Sequence, residues 1–101
     1  MSAKKVTDES GAMVKQFVFT NKRGLHMRPA AEFVKVASRF ACNIFVEKDG
    51  ERVNGKSIMG VIMLAAGEGS KLKVFAEGHD AAQALAELEV LFQSNRTFNE
   101  E

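Results

Sequence analysis

A single cysteine, Cys42, in a chain of 101 residues excludes an intramolecular disulfide. No neighbouring basic group obviously lowers its pKa, so Phe40-Ala41-Cys42-Asn43-Ile44 reads as the entry to a buried strand rather than as a reactive thiol. Charge of one sign is also lacking. The formal net charge of +1 gives no general attraction to nucleic acid or an anionic membrane, so any anion site is local. The longest apolar run, Ile58 to Ala66, falls far short of the roughly 20 residues that span a bilayer. The polar start, Met1-Ser2-Ala3-Lys4-Lys5, does not resemble a secretory signal, so a cytoplasmic location is expected. No histidine, cysteine or carboxylate cluster has the spacing of metal ligands, and no metal or other cofactor is expected.

What is present is the composition of one globular domain, 46% hydrophobic and 27% charged. Residues 1–12 read as a disordered extension, 13–93 as the domain, and 94–101 as a polar tail. Alternation from Val14 to Thr20, apolar on both faces, predicts a strand inside a sheet. Asn21-Lys22-Arg23-Gly24 breaks it. From Met27 the spacing turns helical, with Ala30, Phe33, Val34 and Ala37 on one face. Asn43 to Glu47 and Glu51 to Val53 read as two strands joined at Asp49-Gly50, a two-residue hairpin signal. Ser57 opens an apolar helical segment from Ile58 to Leu64, and Leu72 to Ala76 alternates again. Asp80 is a favourable N-cap for a last helix carrying Ala81, Ala84, Leu85, Leu88, Leu91 and Phe92 as one stripe. The order βαββαβα, with a single apolar stripe on each helix, predicts an α+β fold in which a four-stranded antiparallel sheet carries three helices on one face.

Gly24-Leu25-His26-Met27-Arg28-Pro29-Ala30-Ala31 is the segment most suited to chemistry. Pro29, the one proline of the chain, falls in the first helical turn, where its missing N–H removes no intrahelical bond. His26 therefore stands at the cap, a position that histidine is not chosen for. The unpaired N–H groups and positive end of a helix favour a phosphate there. Arg28 adds a guanidinium fork suited to phosphate oxygens, and the same environment favours the neutral, nucleophilic imidazole. The local pattern by itself admits two readings equally: a surface histidine that caps a helix, or a phosphoryl acceptor.

The motifs G-L-H-M-R-P-A-A at Gly24 to Ala31 and K-S-I-M-G-V-I-M-L at Lys56 to Leu64, in this order and spacing, resemble the HPr family of the phosphoenolpyruvate-dependent sugar phosphotransferase system. The resemblance runs from about Val14 to Phe92. It implies an open-faced β-sandwich and a phosphocarrier, which is a covalent intermediate between partner enzymes rather than an enzyme itself. It implies that His26 is the phosphorylated residue, at Nδ1, and that Arg28 is its phosphate-stabilising partner. It further implies enzyme I as donor, IIA components of sugar permeases as acceptors, and HPr kinase/phosphorylase acting at Ser57 as a regulator. Met27 stands where many relatives carry a smaller residue.

Ser57 is also a sufficient helix cap without any modification. Ile58, Met59, Ile62 and Met63 cannot all face inward from one short helix, and with Met27 they form an expected docking patch around His26. A monomer is expected, with neither nucleic acid nor membrane as partner. A second reading is a regulatory binding module of the same fold working through Ser57; the known form lacks the active histidine, which His26 argues against. A third arises because Gly50 to Ser57 satisfies G-x-x-x-x-G-K-S, the pattern of a nucleotide-binding loop. The hairpin signal at Asp49-Gly50 opposes it, since Glu51 to Val53 as strand could not wrap phosphates. His79 reads as a solvated turn residue, and Gly67 and Gly69 as turn glycines.

Overall fold

The computed structural model describes residues 6–7, 12–18, 27–64 and 70–94. Its elements, in chain order, are β1 (Val6–Thr7), β2 (Met13–Val18), α1 (Met27–Ala37), β3 (Asn43–Lys48), β4 (Glu51–Asn54), α2 (Ile58–Met63), β5 (Lys71–Glu77) and α3 (Ala81–Ser94). The strands form one antiparallel sheet in the order β1-β2-β5-β3-β4. β2 to β5 are the four strands expected from the alternation.

The short β1 corrects the expectation of a disordered extension over residues 1–12 at the residues of that span that are described, Val6, Thr7 and Ala12. Val6 and Thr7 pair with Val14 and Met13, and Ala12 is buried. Both residues of β1 are β-branched, and the open edge of β2 offers them unpaired N–H and C=O groups. Gly67 and Gly69 fall outside the described residues.

Register explains why all three helices lie on one face. Phe17 pairs with Leu72, Lys15 with Val74, Val74 with Val46, and Ala76 with Ile44. These side chains point the same way, because successive residues of a strand alternate. The same cluster holds Ala30, Phe33 and Ala37 of α1, Val61 of α2, and Ala81, Ala84, Leu85, Leu88, Leu91 and Phe92 of α3. Every residue of the expected α3 stripe is therefore in the core. The open face carries the row Val14–Phe75–Phe45. Phe75 is buried even there: the Arg52 guanidinium lies 3.9 Å from its ring centroid, a cation–π contact that also shields the ring from water.

The turn between β3 and β4 has φ 53° at Asp49 and 83° at Gly50. Two positive φ values are what a two-residue hairpin needs to match the strand twist. Gly78 is also positive, at φ 146°, and a Cβ there would sit 2.9 Å from Cys42 Cα, so the chain crossing admits only glycine. Asp80 precedes α3 as expected and its carbonyl accepts from the Ala84 N–H at 2.9 Å. Its carboxylate does something else. It accepts from the Ala41 and Cys42 N–H groups at 2.8 and 2.9 Å, tying the start of α3 to the entry of β3.

Lys15 is the one polar side chain buried on the core face among the described residues. Its ammonium pairs with Glu89 of α3, and Phe17 on the same face stacks on Phe92, with ring centroids 4.5 Å apart. Glu89→Ala leaves that ammonium on an apolar face, and should cost about 2–3 kcal/mol. The double variant Lys15→Met/Glu89→Leu should recover most of the loss. Urea unfolding checks both; equal losses in the two proteins would contradict it.

Candidate functional site

Ser57 caps α2. Its backbone is extended, at φ −113° and ψ 116°, and its Oγ accepts from the Gly60 N–H at 3.1 Å. Its carbonyl accepts from the Val61 N–H at 3.0 Å. One side-chain oxygen thus satisfies a donor that the first turn leaves without an intrahelical partner. The residues before it are held just as closely. The Lys56 N–H donates to Asn54 Oδ1 at 2.8 Å, and the Ser57 N–H to the Asn54 carbonyl at 3.1 Å. The Lys56 ammonium donates to the Phe40 carbonyl at 2.7 Å. This last contact has no signal in the local sequence, because Phe40 follows α1 whereas Lys56 follows β4.

The same segment disposes of the nucleotide-loop reading. Gly50 is a hairpin residue, Glu51 to Asn54 is strand paired to β3, and the Lys56 ammonium is bound to a main-chain carbonyl. No concave run of N–H groups remains there to hold phosphates.

Four apolar residues of α2 divide as its short length requires. Met59 and Met63 are 61% and 70% exposed, and Ile58 is at the margin of exposure. Ile62 is partly buried and packs against the core, so it leaves the exposed patch. Val61 is fully buried, and α1 and α2 pack against each other. The side chain of Met27 lies outside what is described.

α1 opens at Met27. Pro29 is its third residue, inside the first turn as the sequence requires, and it is fully buried. Arg28 is the second residue of α1, and His26 immediately precedes the helix in the chain. His26 and the Arg28 side chain lie outside the described residues. What the fold fixes is the backbone of the first turn.

Three other titratable groups have defined positions. His79 is exposed in the turn before α3. Cys42 is buried, and desolvation first, then the hydrogen bond and charge of Asp80, push its thiol up from 9.0 to about 11. Asp80 is held below its ordinary value, chiefly by the Ala41 N–H. The raised thiol keeps Cys42 protonated at neutral pH, and its stabilising effect is present below pH 9 and fades as pH rises towards 11. At pH 8 the folded protein should react with iodoacetamide about a hundredfold more slowly than the urea-unfolded chain. Equal rates would show the thiol to be accessible and ionised. Among the described residues no three His, Cys, Asp or Glu side chains are grouped to hold a metal, and no helix is long and apolar enough to cross a membrane.

A family model described as "PTS HPr component phosphorylation site" matches residues 13–94. The chain is 48% identical over 89 residues to the phosphocarrier protein HPr of Treponema pallidum, covering 88% of this chain and 99% of that one. It is 50% identical over 74 residues to the HPr-like protein Crh of Halalkalibacterium halodurans, covering 73% and 88%. Among solved structures, HPr-C-His from Thermoanaerobacter tengcongensis superposes with a TM-score of 0.78 at 44% identity, covering 87% of this chain and 97% of that one.

Proposed function

We propose, because the chain belongs to the HPr family of phosphotransferase-system components, that it accepts a phosphoryl group from phospho-enzyme I on His26 and passes it to IIA components of sugar permeases. The family makes it a phosphocarrier of that system; the identity of donor, acceptor and residue is the proposal. The observation that carries it is the start of α1 at Met27, which puts His26 directly before a helix whose first turn is anchored by buried Pro29.

In this reading the neutral imidazole attacks phosphorus through Nδ1. The P–N bond to His26 forms as the bond to the donor breaks, and the reverse exchange delivers the group to the acceptor. The main-chain N–H groups at the head of α1 favour the phosphoryl oxygens, and Arg28 supplies a positive charge for them. The unit that acts is residues 13–93, as a cytoplasmic monomer that engages neither nucleic acid nor membrane.

Ser57 is proposed as a second, regulatory phosphorylation site for HPr kinase/phosphorylase, with Ile58, Met59 and Met63 as the exposed docking patch beside it. What supports this is that the cap oxygen and three exposed apolar side chains occupy one short helix. The alternative, a purely regulatory module acting through Ser57, makes a different forecast in one experiment. Enzyme I and labelled phosphoenolpyruvate are mixed with a IIA protein, with and without this chain. A carrier moves label to the IIA protein only when it is present. A module that is only regulatory moves none, and that result would overturn the reading.

A further inference from the structure

Gly60 is the third residue of α2, and nothing in its own backbone asks for glycine. Its φ is not positive, unlike those of Gly50 and Gly78. Glycine is, after proline, the residue that a helix tolerates least, and α2 has only six residues over which to spread the loss. The third position after a serine cap is where glutamate or glutamine commonly completes a reciprocal pair of capping bonds. Here that bond has another partner, since the Ser57 N–H already donates to the Asn54 carbonyl at 3.1 Å. This explains why no glutamate is needed. It does not explain why alanine is absent.

The neighbours of the missing side chain do. Outside the main chain of its own helix, the nearest atoms to a Cβ at residue 60 would be Ser57 Oγ at 3.3 Å, Ser57 Cβ at 3.4 Å and Val53 Cβ at 3.5 Å. All belong to side chains, and the two carbon contacts are of ordinary van der Waals length. The close one is with the oxygen that the Gly60 N–H already approaches at 3.1 Å. A side chain here would crowd the Ser57 hydroxyl before anything else, and Gly60 leaves it open.

We infer that Gly60 is a specificity-determining residue for phosphorylation of Ser57, and that its missing side chain leaves the room that a phosphoryl group on Oγ takes up. The inference rests on the regulatory phosphorylation proposed above for that serine. In that step Ser57 Oγ attacks the γ-phosphorus of a nucleoside triphosphate. The O–P bond forms as the bond to the bridging oxygen breaks, nucleoside diphosphate leaves, and the hydroxyl proton passes to a base of the kinase. The product carries three acceptor oxygens and a charge of about −2 where one hydroxyl stood. A methyl group at residue 60 obstructs those oxygens, and a carboxylate repels them as well. The residue that best completes the unmodified cap is therefore the one that most opposes its modification.

Full-length Gly60→Ala and Gly60→Glu are compared with the unaltered chain, using HPr kinase/phosphorylase and a nucleoside triphosphate labelled at its γ-phosphorus. The initial rate at Ser57 should fall about fivefold in Gly60→Ala and about fiftyfold in Gly60→Glu. Both unmodified variants should melt no lower than the unaltered chain. Placing phosphoserine at residue 57 during translation removes the kinase from the comparison. It should leave the melting temperature of the otherwise unaltered chain within about 2 °C and lower that of Gly60→Glu by about 5 °C. Equal labelling rates in all three proteins overturn the inference and leave the Ser57 reading standing, as do equal effects of phosphoserine on the two melting temperatures. A Gly60→Ala protein that melts well below the unaltered chain also overturns it, since the glycine would then serve close packing. No label on any of the three overturns the Ser57 reading and this inference with it.

Discussion

Phe92→Ala is expected to destabilise the protein by about 3–5 kcal/mol, the largest loss foreseen for a single side chain here. Phe92 is buried at the last turns of α3. Its ring stacks on Phe17 of β2 with centroids 4.5 Å apart and planes 16° from parallel, and it meets Phe33 of α1 edge-on at 6.2 Å. One ring thus bonds a strand and two helices, and its loss leaves a void that three separate elements would all have to move to fill. Each such aromatic pair adds about 0.5–1.5 kcal/mol beyond its buried area. For a domain of this size the melting temperature should drop by roughly 15 °C or more. Val90→Ala, two residues earlier on the same helix but 59% exposed, should change stability by less than about 0.5 kcal/mol. Thermal unfolding followed by circular dichroism separates the two. Similar melting points for both variants would mean that α3 is not docked through Phe92.

Ser57→Asp is expected to lower the rate of phosphorylation by enzyme I about tenfold, or ~1.4 kcal/mol in the barrier, and Ser57→Ala to leave it within twofold. The contrast isolates charge from folding. Aspartate caps a helix as well as serine does, so the bond from the Gly60 N–H can be kept. Alanine loses that bond at about 1 kcal/mol of stability yet introduces no charge. A carboxylate next to Ile58, Met59 and Met63 must be desolvated when a partner covers that apolar patch, and the cost opposes docking. Added salt should narrow the difference, as far as repulsion at a distance contributes. Rates measured with labelled phosphoenolpyruvate decide it. A wild-type rate for Ser57→Asp would remove the patch from the docking surface, and an equal slowing of both variants would point to the cap rather than the charge.

Much of the fold was legible because its signals are local. Asp49-Gly50 takes the positive φ values of a hairpin. The 3.6-residue stripe from Ala81 to Phe92 is buried at every expected position, and Ser57 makes the capping bond that its type and place foretold. The features that escaped depend on partners distant in sequence. Lys15 shares by parity the inward face of Phe17, and no local signal names Glu89, 74 residues away, as the partner of its buried ammonium. Asp80 reads as a cap, and its carboxylate instead serves the Ala41 and Cys42 amides 39 and 38 residues back. Val6-Thr7 is too short to show any period, and becomes a strand only because β2 supplies an edge. Within the site, spacing places Arg28 and Pro29 in the first turn of α1 and sets His26 directly before it. The chemistry assigned to His26 came from resemblance, since a histidine before a helix is equally compatible with plain capping.

The most direct measurement is therefore made on that imidazole. The protein is phosphorylated with enzyme I and phosphoenolpyruvate, and the linkage is read by phosphorus NMR and by its lability, in the unaltered chain and in His26→Ala. One phosphoryl group per chain, lost in acid and stable in base, and absent from His26→Ala although that variant melts at an unchanged temperature, is the predicted result. Full labelling of His26→Ala, or label found on His79 instead, would contradict the account.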